Sequence, residues 1–365
     1  MNFLKNIFTK KEEPIKSYDD FWNWFKMNEK SFYQFVKHKG DVENFFFAKL
    51  APKLKQIKDG FFFLTGMLDP KTVELVLTAD GAVKNIVFVE ELVAAAPQID
   101  GWVFTALKPP LDIKDVSIRM AGYQFNKDNI SFYDSNDPDF PDEIYITVVH
   151  DDLNEQNKGT VINGTYIFLD SFIGELNFVT TVDKIDIIGK ADAAKELVPI
   201  EKLKDFLTWR EKEFIEKYED TRHDTDNDEY AMLEAELSNG NMLLAVINTA
   251  LLQWDGKASH PWIASIEIKY DGSKNKGMPD DSTYQLLAKI EEELMAELKD
   301  VDGYLNIGRQ TAEGSREVYF ACKDFRKPSK VLNDKKKEHS ALIVIDYEIY
   351  KDKYWRSFNR FTNNY

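Results

Sequence analysis

From residue 262 to residue 350 the chain switches between strand-like and helix-like patterning in one order, and that order limits the folds open to it. Residues 262–270 alternate apolar and polar side chains, the period of a half-buried strand. The segment DDSTYQLLAKIEEELMAEL repeats its apolar residues at helical spacing, with Asp281 or Ser282 placed near its cap. Residues 304–309 and 315–322 read as a hairpin, the residues after Asp324 as a short helix, and 341–350 as a last strand. Strand–helix–strand–strand–helix–strand is the ferredoxin-like order. It predicts a four-stranded antiparallel sheet backed by two helices.

The rest of the chain mixes both element types. At 365 residues it is long for one domain, and 43% apolar with 13% aromatic residues is enough for two cores. Ser17 can cap a helix whose buried face would carry Phe21, Trp24, Phe25, Met27 and Phe32, and a second helix fits 42–57. FFFLTGML and TVELVLTADG read as a hairpin turning at Asp69-Pro70. A helix over 85–96 follows, then strands over 102–107, 116–120, 130–133 and 143–150, a helix over 160–172 and a strand over 178–188. Pro199 opens an amphipathic helix to Tyr218, and strands at 230–237 and 242–251 turn at Asn239-Gly240. The reading is α+β with two domains. Residues 1–16 form an N-terminal segment and 17–195 an α+β domain. Residues 196–258 supply a helix, an acidic linker and a hairpin, and 259–365 the ferredoxin-like domain with an aromatic and basic tail.

Charge narrows the partners. Acidic residues outnumber basic ones 63 to 47, a net charge of −16. Such a field repels phosphate backbones and anionic lipid, so neither nucleic acid nor a membrane is expected as the main partner, whereas a basic protein segment suits it. The acidity also serves solubility. Between Glu211 and Glu236 acids outnumber bases 11 to 3, and Asp224, Asp226 and Asp228 in that run are the candidate partner-binding residues. Their spacing matches the first three ligands of an EF-hand, but Glu229 and Ala235 stand where that loop needs Gly and Glu. A solvated linker is the expectation.

One cysteine, Cys322, permits no disulfide within the chain, which suits a reducing cytosol. Its setting is that of a small core residue. No run approaches the 18 apolar residues of a membrane span. MNFLKNIFTKKEEP is too short and too lysine-interrupted for a signal peptide, although Phe3, Leu4, Ile7 and Phe8 share a helical face suited to a membrane surface or a partner. Without secretion the sequons at Asn129 and Asn163 carry no meaning. His38, His150, His223, His260 and His339 are scattered, with no pair at metal-ligand spacing, and no nucleophile or phosphate-loop motif occurs. The expectation is therefore no catalytic residue, no cofactor and no metal. Glu291-Glu292-Glu293 reads as a solvated helix face. In the tail YKDKYWRSFNRF, alternating cations and aromatics match the composition of a single-stranded nucleic-acid groove; aromatics packed on a sheet with cations outside is the plainer reading.

Two arginines flank the 304–322 hairpin. By alternation Leu305, Ile307 and Arg309 share one face of their strand, and Arg316, Val318, Phe320 and Cys322 one face of the next. If both apolar sets point to the core, Arg309 and Arg316 meet at its end. With Thr311 they form a candidate site for a carboxylate or phosphate, unless Glu313 or Glu317 neutralises them.

GMPDD at 277–281, the helix with Glu291 and Leu294, GRQT at 308–311 and GSREVYF at 314–320 resemble a bacterial family described as domain of unknown function 695. Its terminal unit is similar to the regulator of ribonuclease activity B. The resemblance covers residues 208–361 and implies a ferredoxin-like fold and a regulator that binds a protein without catalysis. The expected function is thus a non-catalytic protein-binding or regulatory module, of the ribonuclease-regulator or immunity type, in the cytoplasm. The alternative is an enzyme or sensor that takes an anionic small molecule at Arg309 and Arg316.

Overall fold

The structure, a computed structural model, describes residues 13–362, so the apolar face of Phe3, Leu4, Ile7 and Phe8 lies outside it. The chain divides into two units, Met1–Lys108 and Pro109–Tyr365. In the first, the Ser17 hydroxyl accepts the Asp20 amide and starts α1 (Tyr18–Lys37), which buries Phe21, Trp22, Trp24, Phe25, Phe32 and Val36. Met27, expected on that face, is 79% exposed, because about 100° of rotation per residue carries it to the far side. The second helix divides into a π-helical turn, Glu43–Phe47, and α2 (Ala48–Ile57), with Phe46 stacked on Phe32 at 4.4 Å. β1 (Phe62–Asp69) and β2 (Thr72–Thr78) form the expected hairpin. After α3 (Val83–Ala94), β3 (Trp102–Ala106) joins β2 in parallel.

The expected domain boundary near residue 195 falls inside the second unit. Its first part has a small hairpin of β4 (Ile118–Met120) and β5 (Tyr123–Phe125). Beside it lies a sheet of β6 (Ile130–Asp134), β7 (Tyr145–His150), β8 (Lys184–Gly189) and β9 (Val198–Pro199), in the order β8-β7-β6-β9. The helices α4 (Lys158–Ile173) and α6 (Leu203–Tyr218) supply Phe168, Leu169, Phe172, Leu203 and Leu207 to its core, and Phe178 of α5 (Glu175–Thr181) packs against it. Phe178 thus lies on a helix, where a strand was expected, and Pro199 pairs with Ser131 at a sheet edge, a position that needs no proline N–H.

The second part is a larger sheet. Its strands are β10 (Tyr230–Glu236), β11 (Met242–Asn248), β12 (Trp262–Lys269), β13 (Tyr304–Ala312), β14 (Ser315–Cys322) and β15 (Val344–Lys351). They run in the order β10-β11-β13-β14-β12-β15, all neighbours antiparallel. The sheet therefore has six strands instead of four: the β10–β11 hairpin, with α7 (Thr249–Gln253) after it, extends the edge at β13. On one face α8 (Asp281–Glu297) and α9 (Arg326–Glu338) pack over Ile266, Ile268, Val318, Phe320 and Tyr347. On the other, Ile263, Leu305, Ile307, Tyr319 and Ala321 pack with Trp355, Phe358 and Phe361 of the tail.

Of the tail's cations Arg356 and Arg360 are exposed, as expected, but Lys351 and Lys353 are not. Lys351 and Lys353 each lie 2.7 Å from Asp183, and Arg356 pairs with Glu143. Lys351 also donates to the Thr180 carbonyl at 2.6 Å. Burial pulls its ammonium down to about 8 against the opposing attraction of Asp183. These pairs join the tail to the loops flanking β7 and β8, so its basic and aromatic pattern serves packing.

One irregularity sets the faces of β13. Asn306 pairs with Phe320 but Gly308 with Tyr319, so Ile307 is an extra residue, a β-bulge. Leu305 and Ile307 keep to the face of the tail. Past the bulge the alternation inverts, and Arg309 and Thr311 join Val318 and Arg316 on the face of α8. Gly308 makes this possible at φ +137°, where an added Cβ would meet the Val246 carbonyl oxygen at 2.2 Å. Gly308→Ala should therefore cost about 2–4 kcal/mol in equilibrium urea unfolding, whereas Gly240→Ala, with open space around its turn, should cost less than half as much. Equal costs would mean that the bulge carries no strain.

Candidate functional site

Asp280 accepts the Thr283 amide at 2.8 Å and fixes where α8 begins. From there Leu287, Ile290, Glu291 and Leu294 fall on one buried stripe. Glu291, expected among solvated carboxylates, is 6% exposed. The spacing 287–290–291–294 carried that signal; reading the three glutamates as a block hid it. Glu291 Oε1 accepts Arg309 Nη1 at 2.6 Å, and its Oε2 lies 3.5 Å from Arg316 Nη1. Thr311 does not wait for an anion: its hydroxyl accepts Arg316 Nε at 3.1 Å. The Arg316 guanidinium lies 5.3 Å from the centre of the Tyr284 ring. Burial pulls the pKa of Arg316 down, and Glu291 opposes that pull.

The two arginines thus meet, as expected, but by another route. Simple alternation would put Arg309 on the face of the tail; the bulge turns it. Glu313 and Glu317, the carboxylates expected to neutralise them, bind elsewhere: Glu313 accepts Asn239 at 2.6 Å, and Glu317 accepts the Tyr319 hydroxyl. Two cations and one carboxylate leave one positive charge. Arg309, its side chain 30% exposed, borders a trough of about 260 Å³ formed with Met232, Leu244, Val246, Met278, Pro279 and Tyr284.

The acidic run divides. Asp224 and Asp226 are exposed, the Asp226 amide donating to Asp224 at 2.9 Å. Asp228 is not a surface residue. Its carboxylate, 7% exposed, lies 2.9 Å from His223 Nε2 and accepts Asn248 Nδ2 at 2.7 Å. Thr225 is likewise tied, through its hydroxyl, to Asp300 at 2.8 Å. The linker is therefore anchored, and Asp228 drops out of any partner-binding face.

The remaining reactive groups are held in structural contacts. Burial pushes the Cys322 thiol up. His260, at the end of the short turn Lys257–Ser259, is buried beside Ser259 at 2.8 Å, and desolvation pulls it down to about 3. His150 accepts the Asp152 amide and faces the Gln124 carbonyl. The fold does bring one set of metal-type ligands together that spacing did not reveal: atoms of Glu293, Glu338 and His339 lie within 4.8 Å of one another. Lys335 already stands among them, 3.3 Å from Glu293 and 3.0 Å from Glu338, so an ammonium ion balances those carboxylates.

Asp228→Asn should cost about 2–3 kcal/mol in urea unfolding, because it weakens the His223 pair and sets two amide groups face to face. Asp224→Asn with Asp226→Asn should stay within about 0.5 kcal/mol. Equal costs would contradict this division of the run.

Residues 236–362, which include Glu291, Gly308, Arg309 and Arg316, match the model of a family described as a family of unknown function (DUF695). No curated protein and no solved structure matches the chain.

Proposed function

We propose that the chain is a non-catalytic binding module that takes a basic, extended protein segment along the free edge of β10. The observation that carries this reading is the edge itself. β10 pairs with β11 and, among the described residues, with no strand on its other side. Its sequence YAMLEAE holds neither the lysine nor the proline that commonly blocks such edges. Tyr230 and Met232 are exposed on it, followed by Glu234 and Glu236, with Asp224, Asp226 and Glu229 exposed just before. An added strand would gain main-chain hydrogen bonds from the edge and its choice of side chains from those alternating neighbours. Apolar residues would suit the start of β10 and cations its acidic end.

The strand order β13-β14-β12-β15, with α8 and α9 on one face, supports reading the core of this sheet as ferredoxin-like. The resemblance to a ribonuclease regulator accords with a binding role without catalysis.

A peptide of about eight residues, valines with lysines at two alternate positions, is the probe. It should slow hydrogen exchange at β10 amides, and its association should slow as salt shortens the reach of charge to below about 8 Å. Glu234→Lys with Glu236→Lys should weaken binding about tenfold or more, since both sites are exposed and carry no core. Equal binding by a peptide with glutamate in place of lysine, or unprotected β10 amides, would overturn the reading.

A further inference from the structure

The trough beside α8 combines an apolar floor with one positive charge left over. Pairing opposite β13 puts Leu244 and Val246 on the same face as Arg309 and Thr311, and Met232 opposite Val246 extends that face onto β10. Tyr284, Met278 and Pro279 form the other wall. Among the described residues Glu291 is the one carboxylate within ion-pair distance of Arg309 or Arg316. Arg309 Nη1 is used on Glu291; its other N–H groups have no partner among the described residues and border the trough.

We propose that this trough binds a small apolar monocarboxylate, its carboxylate on Arg309 and its body against Met232, Leu244, Val246 and Met278. Charge decides the valence. Two guanidinium groups against the one buried carboxylate match a single negative charge, and the exposed Glu234, opposite Leu244 on the same face, counts further against a phosphate dianion beside these apolar walls. The fork of Arg309 suits the two oxygens of a carboxylate. Size decides the rest: about 260 Å³ equals roughly nine water volumes, room for a ligand on the order of ten non-hydrogen atoms. Glu291 and Thr311 hold Arg316 in place, and Arg316 with Glu291 keeps the site's charge fixed before the ligand arrives. Both proposals touch Met232, but this site depends on Arg309, whereas the proposed protein contact depends on the backbone edge of β10 with Glu234 and Glu236, so either can fail without the other.

Octanoate is the test ligand, titrated into the full chain with its methionine methyl groups carbon-13 labelled and observed by NMR. The Met232 and Met278 methyl signals should shift saturably, with a Kd between about micromolar and millimolar. Octan-1-ol and inorganic phosphate should bind about tenfold or more weakly. Arg309→Gln should raise the octanoate Kd by about tenfold or more, as should Met232→Glu, which sets a carboxylate against the ligand's own at an exposed position where the fold does not depend on it. Unchanged shifts of the other methionine methyls would show that both variants are folded. The proposal fails if octanoate produces no saturable shift at about 10 mM, if octan-1-ol binds as tightly, or if neither substitution weakens binding.

Discussion

One carboxylate, Glu291 of α8, is shared by two guanidinium groups of the sheet, Arg309 and Arg316, and the geometry beside α8 depends on that sharing. Glu291 is buried on α8, and a lone buried carboxylate would be costly; Arg309 and Arg316 make its burial tolerable. Both must reach it from the sheet, and they stand on different strands. Arg316 arrives by ordinary alternation along β14. Arg309 arrives only because Ile307 is an extra residue and Gly308 accepts a backbone angle that other residues avoid. The bulge thus couples strand register to the electrostatics of the trough.

The two added strands explain why a trough exists. β12 to β15 place their helix-side residues beneath α8 and α9. β10 and β11 extend the sheet beyond α8, and α7, the helix that follows them, packs Leu251 and Leu252 with the tail on the other face. Met232, Leu244 and Val246 therefore form a floor with Tyr284 and Arg309 at its border. The same extension makes β10 the terminal strand, with its acidic residues beside a free backbone edge. The free edge and the trough both follow from where the sheet stops.

Much of this was legible in the sequence where the signal is local. The alternation at 262–270, the spacing of Leu287, Ile290 and Leu294, and the turn at Asp69-Pro70 all correspond to observed elements, since each depends on neighbours a few residues apart. What escaped depends on distant partners. Asp183 has no local feature that marks it as the counter-ion of Lys351 and Lys353, and nothing near Asp228 announces Asn248. Strict alternation through Gly308 hides the bulge, although an isolated glycine inside a strand pattern is a sign of one. Alternation joins Arg309 and Arg316 only if the sheet has one covered face; it has two, and the bulge makes the pairing true for another reason.

A double-mutant cycle between Arg309 and Glu291 tests this arrangement most directly. Arg309→Gln, Glu291→Gln and the double variant would each be unfolded in urea beside the unchanged chain. A bulge that delivers Arg309 onto a buried carboxylate at 2.6 Å predicts a coupling energy of about 1–3 kcal/mol. Coupling within about 0.3 kcal/mol of zero would mean that Arg309 does not meet Glu291, and that the register and the charge of the trough are not as described.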